Sequence, residues 1–119
     1  MGTWVRRLGG LAFVASLALV GYATLTPNPA SGGTPDWLAH VMLFAAVGGS
    51  AVVALADPAR PGRGALAALV IAAGLGALTE AAQWPLETRS PAVHDLVADL
   101  VGAVLGVALG LGVVRLERD

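Results

Sequence analysis

Cysteine is absent from this chain of 119 residues, and so is lysine. Without cysteine there is no disulfide scaffold and no thiolate metal or redox centre. Charge is scarce. Only 13% of the residues are Asp, Glu, Lys or Arg, about half of the roughly 25% found in a typical soluble domain. The formal net charge of −1 gives no basic footprint, so nucleic acid is not an expected partner. Also missing are a P-loop, a G-x-G-x-x-G opening a helix after a strand, an H-E-x-x-H and a G-x-S-x-G. No cofactor and no metal site is therefore assigned. What remains is apolar surface. Hydrophobic residues make up 56% of the chain, with 16 glycines, too apolar a composition for disorder.

The few charges leave long gaps. There are 28 uncharged residues between Arg7 and Asp36, and 20 between Asp36 and Asp57. Gly64 to Thr79 gives 16, and Leu100 to Val114 gives 15. A bilayer core about 30 Å thick takes about 20 helical residues at roughly 1.5 Å each. The last two gaps reach that length by including Glu80 and Gln83, and Asp95 and Asp99, at one end. The expected fold is all-α, a single membrane domain over 1–119 with four transmembrane helices at about 4–25, 37–56, 64–84 and 93–114. Backbone groups in lipid must satisfy one another, which makes each span helical. Breaker-rich segments separate the spans: Thr26 to Pro35, Asp57 to Arg63, and Pro85 to Pro91, with Ser90-Pro91 suited to a helix entry.

Arg6 and Arg7 precede the first span, Arg60 and Arg63 lie between the second and third, and Arg115 and Arg118 follow the fourth. An even number of spans puts these six on one side and Arg89 on the other. The positive-inside rule then places both termini in the cytoplasm of a multi-pass plasma-membrane protein. The first segment also has the look of a signal peptide, with Arg6-Arg7, an apolar run and Gly21-Tyr22-Ala23 as a small-residue cleavage site. Its length favours a retained span.

This topology gathers the polar residues on the outer face. Asp36 and His40 open the second span four residues apart, on one helix face. Glu80 and Gln83 close the third. Asp95 and Asp99 open the fourth, and they continue into Gly102, Gly106 and Gly110 as one stripe. Gly102-xxx-Gly106-xxx-Gly110 is a tandem small-xxx-small surface for close helix packing, so the two carboxylates belong on a packed edge. Intramembrane charges are costly and face a bundle interior or cavity. The expectation is a polar pocket, one to two helical turns deep, opening outward.

The order of these pieces resembles the VanZ-like family. An acid and a His open a helix. Glu80-Ala-Ala-Gln83 follows, then Arg89-Ser90, then Asp95-Leu-Val-Ala-Asp99-Leu-Val-Gly102 and Gly106. The resemblance runs from Asp36 to about Gly110. Three positions depart from the family pattern: Trp37 stands where Lys is common, Asp99 stands where Asn is usual, and His94, in Ser90-Pro91-Ala92-Val93-His94, has no counterpart in it. The first two leave the site more acidic. The resemblance implies a small polytopic membrane protein of the cell envelope. The family's namesake is associated with low-level resistance to teicoplanin, and the family name carries no reaction with it.

Several readings of the polar set stand side by side. The first is an interhelical hydrogen-bond network that fixes the bundle. The second is a binding site formed by Asp36, His40, Glu80, Gln83, Arg89, Asp95 and Asp99. There Arg89 would grip the anionic group of a lipid-linked cell-wall precursor or a lipophilic ligand, or would pair with Glu80. The third is metal binding or acid–base chemistry centred on His40, as in an intramembrane hydrolase or transferase. The same residues would also serve a non-catalytic partner that assembles with another membrane protein. Membrane lipids are expected partners throughout, and a unit this small suits a homo- or hetero-oligomer. Trp4, Trp37 and Trp84 fall at span ends as interfacial anchors.

Overall fold

A computed structural model describes residues 2–25, 36–57, 59–83 and 93–118. These form four helices: α1 (Thr3–Leu25), α2 (Asp36–Ala54), α3 (Pro61–Gln83) and α4 (Val93–Arg118). No strand occurs among the described residues. Each helix is long and apolar enough to cross a membrane, and the bundle they build measures 49 × 23 × 20 Å.

Two boundaries differ from the spacing of charges. α3 begins at Pro61 rather than near Gly64. The Asp57 carboxylate accepts the Ala59 N–H at 3.0 Å, and the Asp57 carbonyl accepts the Arg60 N–H at 3.0 Å. This Asx-type turn delivers Pro61 straight into the first helical turn, where its missing N–H costs nothing. α4 runs on to Arg118 instead of stopping near Val114. Arginine in a last turn complements the helix dipole, so Arg115 lies within the helix rather than ending it.

The packing inverts the rule of soluble proteins. The interior is mostly Ala, Gly and Val, with Val47, Ala51, Val52, Ala68, Ala72 and Ala103 all essentially buried and Phe44 the one large apolar side chain buried among the described residues. Large side chains such as Leu11, Leu19, Leu66, Leu78, Leu109 and Leu116 point outward and are exposed. Lipid tails solvate leucine as well as a protein core does. Burial therefore goes to residues small enough to let backbones approach.

α2 is the hub. It packs most extensively on α4, then on α1, and also on α3. α3 packs on α4 as well, and touches α1 only lightly. Among the described residues α1 and α4 do not pack on each other. That gap leaves an open apolar groove of about 550 Å³ whose floor includes Ala46, Gly49 and Ser50 of α2. α1 turns Val5, Gly9, Ser16, Val20 and Thr24 inward, with Gly9 against Val53 and Ala54 near the end of α2. The inward serines cost nothing unpaired. Ser16 Oγ donates to the Ala12 carbonyl at 2.7 Å, and Ser50 Oγ donates to the Ala46 carbonyl at 2.5 Å.

The two ends of the bundle differ in chemistry. At one end lie the start of α1 with Arg6 and Arg7, the α2–α3 turn with Arg60 and Arg63, and the end of α4 with Arg115. His40, Glu80, Asp95 and Asp99 all fall at the other end, within the first turns of α2 and α4 and the last turn of α3.

Candidate functional site

The site grows out of the α2–α4 seam. The two helices run parallel, with Gly102 over Val41, Gly106 over Ala45 and Gly110 over Gly49. Both sides advance in steps of four residues, the spacing that keeps one helix face in line. A Cβ at Gly102 or Gly106 would overlap the carbonyl of Val41 or Ala45. At Gly110 it would come within 2.7 Å of the Gly49 carbonyl. Glycine is required at these three points because the opposing atoms are backbone and cannot swing away. From the other side, a Cβ at Gly48 would lie 2.7 Å from the Ala103 carbonyl.

The same α4 stripe carries Asp99 three residues before Gly102, and Asp95 four residues before Asp99. The close approach set by the glycines brings their carboxylates to the imidazole of His40 on α2. His40 Nδ1 lies 2.6 Å from Asp99 Oδ1, and Nε2 lies 3.9 Å from Asp95 Oδ2. With Asp99 ionised, the carboxylate only accepts, so Nδ1–H is the donor. The side chains keep 17% exposure at His40, 10% at Asp95 and 1% at Asp99. Asp99 is therefore sealed inside, and access to the group runs through His40 and Asp95.

α3 closes the third side. A Cβ at Gly76 would lie 3.2 Å from Leu96 Cδ1 and 3.4 Å from Asp99 Oδ2, so the Asp99 carboxylate lies directly against the α3 backbone. Thr79 is buried and donates its hydroxyl to the Gly76 carbonyl at 2.9 Å. Glu80 follows Gly76 by four residues and shares its helix face. It is half-buried, with Oε1 enclosed.

Of the seven residues expected from the sequence, His40, Asp95 and Asp99 meet directly, and Glu80 stands on the α3 face that borders them. The side chains of Asp36 and Gln83, and the whole of Arg89, lie outside the described residues. Gly102, Gly106 and Gly110 face the α2 backbone. Among the described residues no group of three His, Asp or Glu side chains is placed to hold a metal ion. Sequence reasoning missed two parts of the construction. One is the α2 side of the seam, where Ala45-xxx-Gly49 was the available signal. The other is Gly76, whose signal was its place one turn before Glu80.

Comparison of the chain with protein-family models, curated proteins and solved structures returns no match.

Proposed function

We propose that the chain is a VanZ-like plasma-membrane protein with both termini cytoplasmic, and that its polar end binds the headgroup of an envelope lipid. The ligand class is a lipid-linked cell-wall precursor or a lipophilic glycopeptide of the teicoplanin type. Arg89 supplies the cationic fork for the anionic group. His40, Asp95 and Glu80 hydrogen-bond its polar part, and Asp99 orients His40. The observation that carries this reading is the meeting of His40 with Asp95 and Asp99 across two helices, with Gly76 of a third against Asp99, at the end of the bundle opposite Arg6, Arg7, Arg60, Arg63 and Arg115. Six arginines at the other end support the outward placement of that site by the positive-inside rule.

Expression in a susceptible host tests the reading. Teicoplanin tolerance is expected to rise several-fold while vancomycin tolerance stays put, and His40→Ala and Glu80→Gln are expected to abolish the rise at equal membrane levels. Unchanged susceptibility to both drugs overturns the antibiotic link. A reporter fused to the C-terminus tests orientation: a periplasmic or external signal reverses every depth assigned above.

A second reading has a specific observation behind it. Asp99 holds Nδ1 of His40 and leaves Nε2 on the more accessible side, the arrangement in which a buried carboxylate prepares an imidazole to accept a proton. An intramembrane hydrolase or transferase would use His40 in that role. Asp99→Asn would then lower turnover and shift its pH profile without weakening ligand binding. A purely binding site would show no such profile.

A further inference from the structure

The α2–α4 seam contains the same pattern twice. On α4, Asp95 stands one turn before Asp99. Ala98 likewise stands one turn before Gly102, in a row of small residues that continues through Gly106 and Gly110. On α2, Val41, Ala45 and Gly49 are spaced by the same four residues. Translating α4 by one turn along α2, toward its own C-terminus, would repeat most of the pairings, with Ala98 falling on Val41. His40 would meet Asp95 in place of Asp99. Ala45 would meet Gly102, and Gly49 would meet Gly106. On α3, Gly76 would exchange Asp99 for Asp95. Asp95 already stands 3.9 Å from Nε2 of His40. We infer that α2 and α4 have two registers one helical turn apart, and that His40 exchanges Asp99 for Asp95 between them. This goes beyond the proposed headgroup site and does not depend on it.

Two features decide which register is the resting one. In the second register Ala98 takes the place of Gly102, where a Cβ overlaps the Val41 carbonyl. The helices must then part slightly at the polar end. Asp99 in turn takes the place of Ala103, a fully buried position in the apolar cluster of Val20, Phe44, Val47 and Ala72. An ionised carboxylate is strongly disfavoured there. The observed register is therefore the resting state, and the second requires a neutral Asp99. The groups that face Asp99 are His40 from α2, Asp95 on its own helix, and the Gly76–Glu80 face of α3. Among the described residues α1 does not pack on α4. Neutralisation of Asp99 itself favours the slide, whereas a proton on His40 strengthens its pairing with Asp99 and opposes it. No equivalent step exists in the opposite direction, because it would bring His40 to Ala103, which cannot accept a proton or a hydrogen bond.

The absence of cysteine makes the test clean. Spin labels at Met42→Cys on α2 and Leu116→Cys on α4, both exposed positions, report the axial offset of the two helices by pulsed electron resonance in liposomes. The slide moves Leu116 away from Met42 by about 6 Å, four residues at roughly 1.5 Å each. The native sequence at neutral pH should give the shorter distance alone. Asp99→Asn, a neutral side chain, should add the longer component. Ala98→Gly in the same chain should enlarge it by removing the Cβ that opposes the slide. A single unchanged distance in the folded Asp99→Asn chain overturns the inference, and so does a change under about 3 Å, which would indicate tilt instead. Should the double variant fail to fold, the native chain at acidic pH supplies the neutral carboxylate. A fixed distance down to the pH at which folding is lost is equally fatal. Drug susceptibility enters none of these readings, so the headgroup proposal and the slide can fail separately.

Discussion

The seam between α2 and α4 joins two stretches of unlike chemistry. Along most of its length, Gly102, Gly106 and Gly110 lie against the α2 backbone, and the attraction is dispersion between closely approaching main chains. At its polar end, His40 meets Asp99 and Asp95, and the attraction is a short hydrogen bond with charge. The glycine stretch is close but repetitive: a slip of four residues sets glycine on small residues again at Ala45 and Gly49. The polar stretch is short but directional, and with Asp99 ionised it distinguishes one register from its neighbour. In a bilayer no hydrophobic force separates helix from lipid. Proximity and register must then come from different residues, and this helix pair divides them along its length.

The largest expected effect comes from breaking the glycine stretch. Gly106→Leu places a side chain where even a Cβ overlaps the Ala45 carbonyl. Overpacking of side chains costs about 1–3 kcal/mol and sometimes more. Because the obstacle here is backbone, the upper end or beyond is expected. Thermal unfolding in detergent and size-exclusion elution should show a destabilised or dispersed protein. A Gly106→Leu chain that melts like the native one would mean that the seam is not the main packing interface.

The polar stretch comes next. Removing one partner, as in Asp99→Ala, should cost about 1–3 kcal/mol by leaving a buried imidazole less well satisfied. The pairwise coupling is smaller. A double-mutant cycle between His40→Ala and Asp99→Ala should return about 0.6 to 1.7 kcal/mol, the range of interhelical hydrogen bonds in membranes. Zero coupling would separate the two side chains that the structure joins. Asp95→Asn should fall below both, at about 0.5 kcal/mol, since its distance to Nε2 is that of a loose ion pair. If Asp95→Asn proved costlier than Asp99→Ala, the roles of the two carboxylates would be exchanged.

How much of this was legible beforehand depended on periodicity. The four helices were readable because uncharged runs near bilayer length have few alternatives. The Asp95–Asp99–Gly102–Gly106–Gly110 stripe was readable because all its members share one helix and one phase. The partner of that stripe was not. Ala45-xxx-Gly49 is a small-xxx-small pair, but nothing local ties it to α4 rather than to another helix. Gly76 stands one turn before Glu80, but its importance lies in the nearness of a carboxylate on another helix. Pattern within a helix reveals which face packs, whereas the choice of neighbour is a property of the assembled bundle. The starting point of α3 went unread for a related reason. Pro61 counts as a breaker in a list of residues, and becomes a helix start only once the Asp57 turn has set the direction of the chain.

The smallest effect provides the sharpest contrast with Gly106. Gly10, Gly74 and Gly112 have nothing within reach of an added Cβ. They are helical glycines without a packing reason, and they differ from the seam glycines only in what stands opposite. Glycine inside a helix is worse than alanine by roughly 0.5–1 kcal/mol through backbone entropy. Gly112→Ala should therefore leave the protein unchanged or raise its melting temperature slightly, although it lies two residues from Gly110, where the same substitution should destabilise. The pair tests the seam against helix propensity with one chemical change on one helix. If Gly110→Ala were as harmless as Gly112→Ala, the contact of that residue with the Gly49 carbonyl would have to be looser than 2.7 Å implies. The division of labour along α2 and α4 would then lose its close-packed half.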